Sequence, residues 1–165
     1  MVTAYLALGS NLGDRRSCLA GAREALDRLP GVRVVAGSAL YETDPVGGPP
    51  GQDRYLNAVL EIDTDLAAEP LLQRCLAIED QFGRRRTEPR GPRTLDVDLL
   101  FFGAEVIREK GLMVPHPRLH ERAFVLAPLC DVAAGLRHPV LGETIRELFQ
   151  RLPPDPGVAR LCESW

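Results

Sequence analysis

The sequence is sparing with aromatic rings, long apolar runs, paired cysteines and excess positive charge, and each shortage removes a class of function. Aromatic residues are 5% of the chain, too few to suggest the clustered rings on which a sheet stacks single-stranded bases. No stretch approaches the ~20 apolar residues needed to span a bilayer. The opening Met1–Ser10 has no basic run ahead of an apolar one, so a cytoplasmic protein with no membrane partner is expected. A net charge of −3 is at odds with general nucleic-acid binding, where counterions must be displaced from phosphates. Any phosphate binding is therefore local. Cys18, Cys75, Cys130 and Cys162 are scattered and include no C-x-x-C pair, which fits reduced packing residues rather than a disulfide framework. No Walker A string occurs, and Gly9-Ser10-Asn11-Leu12-Gly13 is not a dinucleotide fingerprint.

What is present is a globular composition. The 165 residues are 45% hydrophobic and 26% charged, enough to bury one core, and a single domain over residues 1–165 is expected. Val2 to Gly9 reads as a buried strand. Leu12 to Leu29 carries Leu19, Ala22, Leu26 and Leu29 at helical spacing, and Pro30-Gly31 stops it. Strands are expected over Val32 to Tyr41 and Tyr55 to Asp63, separated by an irregular Asp44 to Gln52 loop. A second amphipathic helix spans Ala67 to Phe82, and Thr94 to Phe102 is the most strand-like segment. Helices over Arg122 to Ala133 and Glu143 to Gln150 follow. This order predicts an α+β fold, a ferredoxin-like βαββαβ sandwich with additional C-terminal helices.

The chemistry centres on Arg93-Thr94-Leu95-Asp96-Val97-Asp98. Strand alternation puts Asp96 and Asp98 on one face, ~7 Å apart along the backbone, with Leu95, Val97 and Leu99 on the other. Paired carboxylates suit a hard cation such as Mg²⁺, which takes one or two carboxylates plus substrate phosphates. They equally suit a solvated edge. The preceding loop crowds Arg84, Arg85, Arg86, Arg90 and Arg93 among glycines and prolines. Alone it reads as a charged surface loop, but arginine forks match phosphate oxygens, and phosphate with Mg²⁺ uses both charges together. Phosphoryl transfer is the expectation.

Two further groups belong to this reading. Tyr55 and Asn57 point the same way on one strand and offer a ring and an amide to a heterocycle, or else form an ordinary packed pair. Val114-Pro115-His116-Pro117-Arg118-Leu119-His120-Glu121-Arg122-Ala123-Phe124 holds two histidines, two arginines and a ring; His116 between prolines is suited to donate to a phosphate. No third ligand joins His116 and His120, which argues against zinc. His138 reads as an ordinary loop residue.

Four blocks, Ala7-Leu8-Gly9-Ser10-Asn11-Leu12-Gly13, Tyr55-Leu56-Asn57-Ala58, Gly91-Pro92-Arg93-Thr94-Leu95-Asp96-Val97-Asp98 and Val114-Pro115-His116-Pro117-Arg118, resemble the 6-hydroxymethyl-7,8-dihydropterin pyrophosphokinases of folate biosynthesis. The resemblance spans nearly the whole chain. It implies transfer of diphosphate from ATP to the pterin's hydroxyl, giving AMP and the pterin diphosphate ester. It implies two Mg²⁺ ions held by Asp96 and Asp98, with Arg84 and Arg86 closing over the triphosphate. Arg93, His116 and Arg122 would contact phosphates, and Glu79 would face the nucleotide. Tyr55 and Phe124 would sandwich the pterin, while Asn57 and the backbone around Thr43 to Val46, Pro45 included, read its edge. A monomer acting on ATP and the pterin is expected. Two other classes remain open: a binding module without catalysis, and an RNA-binding ferredoxin-like domain, which the acidic balance disfavours.

Overall fold

Period-two alternation in the first strand sets the layers. The computed structural model describes residues 1–83, 92 and 94–165. In β1 (Val2–Ser10) one set of side chains, Ala4, Leu6 and Leu8, packs with Leu19, Ala22 and Leu26 of α1 (Arg15–Asp27) and with Leu71, Cys75 and Ile78 of α2 (Ala68–Gln81). On the opposite face Tyr5 and Ala7 meet a second core, built with Leu126 and Leu129 of α3 (Ala123–Ala133) and Leu148 of α4 (Ile145–Arg151). The sheet therefore has helices on both faces, and β1 reads as almost continuously apolar because both its faces are buried.

The strands β2 (Val32–Gly37), β3 (Leu40–Thr43), β4 (Tyr55–Thr64), β5 (Asp96–Phe102) and β8 (Val158–Cys162) complete that sheet. Its order is β5-β1-β4-β3-β8, with β2 also pairing β4, and every pairing is antiparallel. The carboxylate strand β5 is thus at one edge, beside β1. A small hairpin, β6 (Ile107–Glu109) with β7 (Leu112–Val114), stands apart from it.

Several boundaries differ from the sequence expectation, each for a local reason. Helix α1 starts at Arg15 rather than Leu12 because the Asp14 carboxylate caps it, accepting from Ser17 N–H at 3.1 Å. The single strand expected over Val32 to Tyr41 is two, since the register along β4 slips between Val34 and Ala36 and again before Tyr41, which faces Asn57. Between the slips the Ser38 hydroxyl accepts from Val59 N–H at 2.8 Å. Helix α4 begins after Thr144, whose side chain forms a reciprocal capping box with Glu147. The hairpin and β8 are additions to the expected order. His138 is no ordinary loop residue: it is 5% exposed, its Nδ1 accepts from Val140 N–H and Leu141 N–H, and its ring meets Phe101 edge-on. All four cysteines are free thiols. Among the described residues no helix is long and apolar enough to cross a membrane.

Candidate active site

Antiparallel register carries the chemistry-bearing residues to one place. Gly9 of β1 pairs with Asp96 on one side and with Asn57 on the other, and Ala7 pairs with Asp98. Directly opposed residues share a face, so Asp96, Gly9 and Asn57 form a row on the α3 side, with Asp98 one pleat further along. A bulge between Tyr5 and Leu6 keeps Leu100 and Phe101 both in the α3 core, so the edge strand is anchored just beyond its carboxylates.

Above this row lies a cleft of about 380 Å³. Thr43, Pro45, Val46, Tyr55, Asn57, Asp96, Asp98, Arg122 and Phe124, all singled out from the sequence, line it together. Thr43, 2% exposed, donates its hydroxyl to Asn57 Oδ1 at 2.5 Å, which turns the amide nitrogen towards the cleft. Tyr55 sits at the start of β4 and Phe124 in the first turn of α3, so one ring comes from the sheet and the other from a helix packed on it. The Arg122 guanidinium lies 5.6 Å from the centre of the Phe124 ring, a cation–π contact that holds an arginine at the amide end of α3.

His116 and Glu79 are not on the cleft lining. His116 donates its backbone N–H to Leu100 O at 3.0 Å, and its Nδ1 accepts from Arg118 N–H at 3.3 Å. The ring proton is therefore on Nε2. Burial, with the positive charges of Arg122 and then Arg118, pushes its pKa down to about 4, so at neutral pH it is an uncharged donor. Glu79, 3% exposed, faces inward from α2 and accepts from Val97 N–H at 2.8 Å, bracing the strand between the two aspartates. Arg84, Arg86 and Arg93 lie outside the described residues.

Other residues form the site without having been assigned to it from the sequence. Gly9 lines its floor, and Arg118, Glu121 and Asp155 line it as well. Asn11, 2% exposed, donates to Gln52 Oε1 and Asp53 O, both at 3.1 Å, tying down the loop after β3. Arg15 donates to Arg54 O at 2.8 Å and pairs with Glu42 at 3.0 Å, while Arg54 pairs with Asp44 at 2.9 Å. Such half-exposed pairs add little stability individually, but in series they orient the cleft's rim. The signal for Asn11 was in the sequence, an amide directly after a strand; that for Asp155 was not, since it depends on β8 folding back beside β3.

A sheet layered by helices on both faces, with two carboxylates beside a ring-lined cleft, is the frame of a phosphoryl-transfer enzyme, and comparison with known proteins narrows the class to the pyrophosphokinases. The model of the 7,8-dihydro-6-hydroxymethylpterin-pyrophosphokinase (HPPK) family matches residues 5–134. The 2-amino-4-hydroxy-6-hydroxymethyldihydropteridine pyrophosphokinase of Methylorubrum extorquens is 46% identical over 161 residues, 98% of this chain and 99% of the relative. That of Pseudomonas aeruginosa is 46% identical over 157 residues, 95% of each. Among solved structures, a Plasmodium falciparum HPPK-DHPS triple mutant with pteroate superposes with a TM-score of 0.72 at 17% identity, covering 91% of this chain and 43% of that one. The chain belongs to the HPPK family.

Proposed function

We propose that this enzyme transfers a diphosphate group from ATP to the hydroxyl of 6-hydroxymethyl-7,8-dihydropterin, releasing AMP, as one domain over residues 1–165 working as a cytoplasmic monomer. The relatives' names give the reaction, and the row Asp96–Gly9–Asn57 is the observation that carries it here, because it sets a phosphate-side carboxylate pair beside a heterocycle-reading amide. We read the sheet order, with β2 and β3 as one interrupted strand, as the ferredoxin-like arrangement extended by α3, α4 and β8.

The donor set fits Mg²⁺: two carboxylates on one strand face are hard oxygen ligands, and among the described residues no third His, Cys, Asp or Glu completes a closed all-protein cage. When bound, two such ions would neutralise phosphate charge and orient the oxygens. The chain's own residues do the rest. Tyr55 and Phe124 hold the pterin ring between the walls, and Asn57, locked by Thr43, presents its N–H groups to an acceptor on the ring's edge. The backbone at Pro45 and Val46 supplies the adjoining rim. Arg122 and the neutral His116 donate to phosphate oxygens, joined by Arg93, with Arg84 and Arg86 closing over the triphosphate. Glu79 acts on the nucleotide side through the strand that it braces.

The substrate oxygen attacks the β-phosphorus, its proton leaves, and the bond from that phosphorus to the oxygen bridging the α-phosphate breaks as AMP departs. Alignment and charge neutralisation are the main demands of this displacement.

The test is AMP formation from ATP and Mg²⁺ with and without the pterin, in wild type and Asp98→Ala. AMP that depends on the pterin and is lost in the variant supports the assignment; tight binding of both substrates with no AMP leaves a binding module instead.

A further inference from the structure

Gly9 lies in a strand and its backbone is not in the left-handed region. Nothing in its conformation requires glycine, so the reason for the missing side chain lies in the space around it. A Cβ built there would stand 2.9 Å from Asn57 Nδ2, 3.5 Å from the Tyr55 ring and 3.9 Å from Asp96 Cβ. Those three groups belong to the two halves of the cleft, the heterocycle side and the carboxylate side. The 2.9 Å contact is closer than an ordinary Cβ tolerates, and the amide has little freedom to give way, because its Oδ1 is fixed by the Thr43 hydroxyl at 2.5 Å.

Neighbouring strands are ~4.8 Å apart, so Asn57 and Asp96, one strand away on either side of Gly9, are separated by roughly 10 Å of backbone. Gly9 is the residue that pairs with both of them, one on each side. A methyl group there would push the reading amide off its Thr43 partner.

Resting on the pyrophosphokinase reading, we propose that Gly9 is a specificity-determining position: its missing side chain leaves the Asn57 amide, fixed by Thr43, where it reads the edge of the pterin. The close contact of the added Cβ is with the amide assigned to the pterin, so ATP affinity serves as the control for Gly9→Ala. Displacing the amide removes one hydrogen bond to the pterin, an expected loss of at least fivefold in affinity, about 1 kcal/mol.

The experiment measures pterin and ATP affinity calorimetrically, and AMP formation, for wild type, Gly9→Ala, Asn57→Ala and the double variant, with thermal melting as the folding check. The expected result is pterin affinity at least fivefold weaker in Gly9→Ala with ATP affinity unchanged, and no further loss when Gly9→Ala is added to Asn57→Ala, because the atom it strikes is gone. Pterin affinity within twofold of wild type overturns the proposal, as does a loss that simply adds to that of Asn57→Ala. If Gly9→Ala alone does not fold, the double variant decides: folding restored, with the pterin affinity of Asn57→Ala, supports the contact, and continued failure to fold overturns it. Absence of pterin-dependent AMP from the wild type would instead sink the functional reading, a different outcome from any of these.

Discussion

Replacing Thr43 by valine removes one hydroxyl and keeps the side chain's shape, so it isolates the lock on Asn57. Thr43 is 2% exposed, pairs with Tyr55 across β3 and β4, and donates to Asn57 Oδ1 at 2.5 Å. Valine fills the same space but leaves Oδ1 without that donor. A buried acceptor stripped of its partner costs ~1–3 kcal/mol. Asn57 is only part-buried beside an open cleft, so water can replace the lost donor and the lower end applies, about 1–2 kcal/mol, or about five- to thirtyfold in an equilibrium constant. The larger consequence is orientation, since the freed amide can rotate and offer oxygen where nitrogen is needed. Denaturant unfolding of Thr43→Val should report that loss of stability, and titration calorimetry of the pterin should show weaker binding than wild type, with ATP affinity unchanged. Pterin binding equal to wild type in a folded Thr43→Val protein would refute the idea that this hydroxyl sets the reading amide.

Asp98→Asn, which keeps shape and removes charge, should lower AMP formation at least a hundredfold while pterin affinity stays within about threefold, a split read by comparing turnover with calorimetry. Glu79→Ala should orphan the Val97 N–H, which the carboxylate accepts at 2.8 Å, lowering stability by ~1–3 kcal/mol and the melting midpoint by ~3–10 °C. A melting curve superimposable on wild type would remove Glu79 from its bracing role. His116 should titrate by NMR near its lowered value of about 4 rather than 6.5. Because its folded pKa lies below its unfolded one, the stability linked to the neutral ring is complete above pH ~6.5 and is lost as pH falls towards 4. A midpoint at or above 6.5 in the free protein would contradict the burial argument, and bound triphosphate should raise it.

The carboxylate pair was legible in the chain because a strand has a period of exact alternation: Asp96 and Asp98 could share a face only if Thr94 to Phe102 were extended, and the apolar residues between them required it. The two main amphipathic helices were legible for the same kind of reason, with Leu19, Ala22 and Leu26 in one case and Leu71, Cys75 and Ile78 in the other marking the buried stripe. The hairpin at Ile107–Glu109 and Leu112–Val114 was not, since three residues a side show no period, and only Gly111, at φ 83°, marks its turn. The last strand, Val158–Cys162, mixes exposed arginine with half-buried apolar residues at a sheet edge, so its alternation is diluted.

What the sequence determined by itself was therefore local: which segments are strands or helices, which faces they bury, and which side chains carry charge suited to phosphate and a hard cation. What tertiary structure decided was adjacency. That Gly9 lies between Asp96 and Asn57 depends on β1 pairing with β4 on one side and β5 on the other, partners separated from it by dozens of residues. That Thr43 locks Asn57 depends on two register slips in the strand before it. Register is a property of pairs of strands, set by the packing of whole faces against their helices, and no single segment contains it.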